Sequence, residues 1–152
     1  MTTYRKLVPA LAAALVACSP ALALAQDQAM AHEDAETAVH VSSGSAEFTE
    51  VAAGVETKVL WGDRDSGPYG AFTRFAPGIE HSRHAHSNEI RLVVIEGAYV
   101  YTPENGDVIR VGPGEYLSVP GGTVHVSGGD AAKGALFYES SAGGFDMNLL
   151  DE

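Results

Sequence analysis

The chain has 152 residues, 45% apolar, 19% charged and 8% aromatic, a length and balance that fit a single globular domain. Nine Lys and Arg against twenty Asp and Glu give a formal net charge of −11, which excludes the basic face that a nucleic-acid binder needs. The single cysteine excludes a disulfide framework and a cysteine zinc site. Seventeen glycines and seven prolines point instead to many turns between short strands.

Residues 1–25 read as a secretory signal peptide. Arg5 and Lys6 supply the positive region, an apolar run follows from Leu7 to Ala17, and Ala23-Leu24-Ala25 offers small residues where a signal peptidase reads. The run is too short to span a bilayer, and no later segment is apolar for long enough. A second reading is a lipobox at Leu15-Val16-Ala17-Cys18, with lipidation and anchoring at Cys18. Either reading places the domain outside the cytoplasm, in the periplasm or secreted. Cleavage after Ala25 takes away two cations and no acid, along with the only thiol, so any redox chemistry then needs a metal or cofactor.

Residues 26–45 are small and polar without apolar periodicity, and read as a flexible acidic lead-in carrying His32 and His40 as solvated side chains. Residues 46–152 form the domain. Short β-branched and aromatic runs predict strands at 55–60, 69–75, 81–86, 90–95, 99–102, 108–111, 116–119, 123–127, 135–139 and 145–149. Turn chemistry separates them at 62–68, 76–78, 103–107, 112–114 and 120–122, and Asn105-Gly106 carries a hairpin signal. No segment has a helical period. Ten short strands in about a hundred residues imply an all-β sandwich or closed barrel.

Four of the six histidines fall among these strands: His81, His84, His86 and His125. His84 and His86, two apart, project from one face of an extended segment, and neutral imidazole is a good borderline ligand for transition metals. Around them stand Gly78, His84-Ala85-His86, Glu89 and Gly97, then Gly114, Pro120, Gly122 and His125.

These two clusters resemble the two sequence motifs of the cupin superfamily, here as a single-domain cupin of a secreted group without an assigned function. The resemblance runs from about Tyr69 to Tyr138 and implies a jelly-roll β-barrel of short antiparallel strands. It also implies a site for one divalent transition metal (Fe, Mn, Cu, Ni or Zn) held by His84, His86 and His125, with Glu89 as a further ligand. Two departures stand out. Ile90 occupies the cupin glutamate position and Glu89 lies one residue early, so strand alternation turns Glu89 away from the histidines unless a β-bulge returns it to the interior. Gly129 replaces the asparagine of the second motif, which alters a turn rather than a ligand.

Alternation also places His81 on the opposite face from His84, in a supporting or surface role. Glu80 and Arg83 read as solvated charges, Arg91 as a surface partner of Glu89 or an anion holder. Trp61, Tyr99 and Tyr101 fit either the barrel mouth or the core. The only acid or base near the histidines on this reading comes from Glu89 and Arg91. The resemblance implies a dioxygenase-like enzyme acting on a small organic molecule, and the alternative is a non-catalytic sensor, carrier or buffer of a metal or small ligand. Dimerisation through strand pairing is compatible with a cupin.

Overall fold

The computed structural model describes residues 37–150. The signal peptide, Cys18 and most of the acidic lead-in, including His32, lie outside the described residues. The compact unit begins at Val39.

Eleven strands follow among the described residues: β1 (Thr49–Ala52), β2 (Val55–Gly62), β3 (Tyr69–Phe75), β4 (His84–Ala85), β5 (Ile90–Gly97) and β6 (Tyr99–Pro103). They continue with β7 (Ile109–Val111), β8 (Tyr116–Val119), β9 (His125–Gly129), β10 (Ala135–Ser141) and β11 (Asn148–Leu149). The β-branched and aromatic runs form strands where expected, and the hairpin at Asn105-Gly106 joins β6 to β7. Three differences are informative. A strand absent from the sequence reading, β1, pairs with β2 through exposed residues, so it carries no apolar alternation. The expected strand at 81–86 contracts to two residues, with Glu80 bridging Gly128 and the His81 amide donating to Ser127 O at 2.8 Å. The expected strand at 145–149 contracts likewise, because Asp146 and Asn148 turn their polar groups toward Ser87.

The strands assemble into an antiparallel jelly-roll sandwich of two sheets, one ordered β1-β2-β3-β10-β5-β8 and the other β11-β4-β9-β6-β7. The expected barrel does not close, since each sheet keeps its own edges. Between the sheets lies an apolar core built on Phe75, Leu92, Val94, Tyr99, Val111, Val119 and Phe137. Phe137 is 1% exposed and meets Phe75 and Tyr99 edge-on at ring separations of 5.0 and 5.2 Å, the geometry that aromatic quadrupoles favour.

The same alternation that buries Phe137 buries Glu139 two residues on. Its Oε1 accepts the Thr73 hydroxyl at 3.0 Å, and Thr73 lies 3.4 Å from the Thr57 hydroxyl. The large sheet thus presents a polar row toward the interior beside the apolar core. Close backbone approach holds together the two turns that carry the chain between the sheets, β5 to β6 and β9 to β10. A Cβ on Gly97, at φ +71°, would lie 2.1 Å from Gly134 O, so only glycine fits there.

Candidate metal centre

The three motif histidines meet because the small sheet aligns them. His84 on β4 and His125 on β9 are directly opposed register partners. His86 follows β4, and the Gly122 amide donates to its carbonyl at 2.8 Å, tying the second motif's Pro-Gly-Gly turn to the first motif. Gly122 takes φ +78°, the left-handed conformation that this turn requires. Ring centroids lie 4.3 Å apart for His84 and His125, 4.9 Å for His84 and His86, and 5.3 Å for His86 and His125.

All three rings are buried, and each is oriented by a backbone carbonyl. His84 Nδ1 lies 2.7 Å from Ser82 O, His86 Nδ1 2.5 Å from Asp146 O, and His125 Nδ1 2.9 Å from Thr123 O. A carbonyl oxygen can only accept, so each Nδ1 carries the hydrogen and each Nε2 presents a lone pair. One nitrogen from each ring lies within 4.8 Å of the others. His84 Nε2 and His125 Nε2 are buried without a hydrogen-bond partner, a costly arrangement for polar atoms in a protein interior.

Burial lowers the basicity of His84 and His86, and it brings His125 down to about 4, with the neighbouring rings adding to the effect. Three neutral imidazoles with converging lone pairs and carbonyl-fixed tautomers are what a divalent transition-metal site requires. These residues fit such an ion, and the chemistry of three nitrogen donors suits Fe, Mn, Cu, Ni or Zn.

Glu89 does not join them. Ile90 is 5% exposed and takes the inward position, with Leu92 and Val94 following it inward. Alternation therefore turns Glu89 outward, where it accepts from Ser118 Oγ and from Arg91, both at 2.5 Å. The register irregularity of β5 lies near its far end, opposite Leu136 and Phe137, not after Glu89. The bulge that would have returned the carboxylate to the interior is absent, and Arg91 serves as its outer-face partner.

Other expectations also change. His81 faces inward, with Nδ1 3.2 Å from Ser127 Oγ and its ring 6.2 Å from that of His84. Alternation misplaced it because residues 81–83 are not a strand. Gly129 lies within β9 rather than in a turn, and a Cβ there would come within 2.9 Å of Ala76 O, which leaves no room for an asparagine side chain. Tyr101 stacks on His125 at 5.1 Å, Tyr99 is core, and Trp61 sits on the outside with its indole donating to Tyr138 Oη at 3.2 Å.

Beside the histidines the structure holds a cavity of about 240 Å³ whose lining includes Val51, Arg64, Thr73, His81, Glu139 and Phe145. His81 and Phe145 separate it from the triad, Phe145 packing 5.1 Å from the His86 ring. Glu139, 4% exposed, has its carboxyl pushed up from the ordinary range by burial, with Arg64 opposing the shift. The acid and cation that line the cavity beside the site are thus Glu139 and Arg64, rather than Glu89 and Arg91. Sequence reasoning missed both. The inward parity of Phe137 and Glu139 on one strand was a usable signal, whereas Arg64 lies in a turn where no periodicity operates.

The model of the ChrR cupin-like domain matches residues 36–140. Among solved structures, the polyketide cyclase RemF from Streptomyces resistomycificus is similar at 18% identity and a TM-score of 0.64, covering 76% of this chain and 87% of its own. KdgF from Halomonas sp. follows at 20% identity and 0.56, with 70% and 94% covered. A mutant salicylate 1,2-dioxygenase from Pseudoaminobacter salicylatoxidans, solved in complex with gentisate, is similar at 21% identity and 0.50, with 60% and 26% covered. No curated protein matches. At these identities the structural likenesses establish the cupin fold, and the family match spans most of the chain: it belongs to the ChrR cupin-like domain family.

Proposed function

We propose that this chain is an exported metal-dependent enzyme that acts on a small organic molecule, with dioxygenase-like chemistry as the leading reaction class. The observation that carries the reading is the set of three converging, carbonyl-oriented imidazoles beside a cavity lined by a buried acid and a half-buried cation. His84, His86 and His125 hold the metal. When bound, it supplies Lewis acidity and, if redox-active, the capacity to activate oxygen.

The chain's own residues do the rest. Ser82, Asp146 and Thr123 carbonyls keep the three rings in the ligating tautomer. Phe145 and the apolar cavity wall exclude water. Glu139, in a low-dielectric setting that favours its neutral form, holds or releases a proton at the cavity wall. Fold neighbours named as a cyclase and a dioxygenase support a catalytic cupin without selecting the reaction.

A second reading, a non-catalytic metal or ligand carrier, draws on one observation: Ile90 stands at the cupin glutamate position, leaving three protein ligands. Export rests on residues 1–25, and fractionation of expressing cells tests it through release of the shortened chain with the periplasm.

The deciding experiment is elemental analysis of the recovered protein beside His84→Ala. About one Fe, Mn, Cu, Ni or Zn per chain, lost in the variant, is expected, followed by oxygen-consumption screening of the loaded protein. Absence of metal in both, even after reconstitution, overturns the reading. Stoichiometric metal without turnover of any substrate class favours the carrier.

A further inference from the structure

The cation in the cavity has an unusual set of partners. Arg64 has only 14% of its side chain exposed, and its Nε lies 3.7 Å from Glu139 Oε1, an ion pair too long for a hydrogen bond. That Nε is buried with no hydrogen-bond partner. The Glu139 oxygen it faces already accepts from Thr73 at 3.0 Å. Tyr69, fully buried, turns its hydroxyl toward the same pair.

A guanidinium presents five N–H groups in a planar fork that matches a carboxylate bidentately, and leaving such a donor unpaired in the interior is expensive. Arg64 is nevertheless held firmly. Its guanidinium carbon lies 3.7 Å over the Phe145 ring, and its carbonyl accepts the Phe145 amide at 2.7 Å. Position without saturation is the signature of a group arranged for a ligand.

The cavity around it is otherwise largely apolar, with Val55, Phe75, Phe145 and Met147 among its walls. At about 240 Å³ it falls below the roughly 300–1,000 Å³ of ordinary ligand pockets, so it suits a fragment-sized molecule. The net charge of −11 repels anions at long range, so selection for an anion has to be made at the contact itself. Arg64 is the cation that lines this cavity.

We infer that the cavity binds a small organic acid, its carboxylate on Arg64, its apolar body between Phe75 and Phe145, and its far end against the wall of His81 and Phe145 that the cavity shares with the triad. Glu139 is then the internal competitor for Arg64, and a bound carboxylate takes over part of its role. The inference names the ligand class of the cavity beside the triad, and its further step, that this acid is the substrate, rests on the reading of the histidines as the site of chemistry.

Calorimetric titration of the full chain, with and without zinc, tests it using two matched pairs of probes: benzoate against benzyl alcohol, and hexanoate against hexanol. At least one acid is expected to bind about ten times or more tightly than its alcohol, a difference of about 1.4 kcal/mol. Arg64→Met removes that preference and Arg64→Lys keeps part of it, whereas Glu139→Gln tightens acid binding by freeing the guanidinium. Should Arg64→Met fail to fold, the double variant Arg64→Met/Glu139→Gln removes both charges and is expected to show the same loss.

Zinc stoichiometry is measured on every variant and is expected to stay at the wild-type value. Equal binding of acid and alcohol in both pairs overturns the proposal. So does an acid preference that survives Arg64→Met, with zinc or without it, since that would take the carboxylate off Arg64. Failure of the wild type to bind zinc, by contrast, defeats the reading of the triad and with it the assignment of the acid as that site's substrate.

Discussion

Gly121 sits where the two motifs touch, and replacing it with alanine strains that contact selectively. Its φ is not positive, so alanine meets no backbone penalty, and the effect comes from the added methyl alone. An ideal Cβ would lie 2.4 Å from Ser87 O, 3.2 Å from Ser87 C and 3.4 Å from Asn88 C. Ordinary contact begins near 3.4 Å, so the Ser87 carbonyl has to retreat by about 1 Å. Backbone cannot yield as a flexible side chain does, and overpacking of this kind costs about 1–3 kcal/mol. For a domain near this size each kcal/mol lowers Tm by roughly 4–8 °C.

The displacement falls on the residue after His86, whose carbonyl is hydrogen-bonded to Gly122. Functional constellations tolerate only about 0.5 Å of error, so metal affinity should fall tenfold or more, the equivalent of about 1.4 kcal/mol. Gly114→Ala is the control. It sits between β7 and β8 at φ +81° with nothing within 4 Å of its would-be Cβ, so it pays only the left-handed strain of about 1–2 kcal/mol. Competition against a chromogenic chelator measures affinity, and thermal unfolding of the metal-free proteins measures stability. Gly121→Ala should lose affinity and stability, and Gly114→Ala stability alone. Wild-type affinity in Gly121→Ala, or equal affinity loss in both variants, would refute the reasoning.

Acid should destabilise the metal-free protein through its histidines. Unfolded imidazoles take a proton near 6.5 whereas folded His125 does so only near 4, and His81, His84 and His86 shift in the same direction. Between those values the unfolded state binds more protons, so stability falls as pH drops from about 6.5 toward 4 and levels off below. Glu139, shifted upward by burial, works the other way, and urea titrations across this range should show a steeper loss in Glu139→Gln. Glu89→Gln should leave metal stoichiometry by elemental analysis at the wild-type value, because its carboxylate serves Arg91 and Ser118; a lost metal would return Glu89 to the ligand set. Phe137→Ala should cost about 3–5 kcal/mol in urea denaturation, since its ring is buried and packed on two others, and a loss under about 1 kcal/mol would contradict the core described here.

The strand runs were legible because period-two alternation is a local property, and residues 69–75 and 116–119 begin and end where β-branched and aromatic residues do. The three histidines were legible because glycine and proline spacing marks the turns around them. Glu89, expected as a ligand from the family resemblance, stays outward as plain strand parity places it, because the β5 register shows no bulge beside it. Where local pattern gave way, long-range pairing had taken over. His81 points inward because isolated bonds to β9, not a strand, hold its backbone. Asp146 orients His86 from sixty residues away, and no local signal marks a carbonyl as a partner for an imidazole.

Composition and alternation by themselves determined an all-β chain with two turn-bracketed histidine clusters, since turn chemistry and side-chain parity act within a few residues. Only the tertiary structure decided that the sheets remain an open sandwich and that His84 faces His125 across a strand pair. It alone brought Arg64 from a turn to within 3.7 Å of Glu139 on β10. That contact spans seventy-five residues of sequence, and strand pairing rather than any motif sets which distant side chains share an interior.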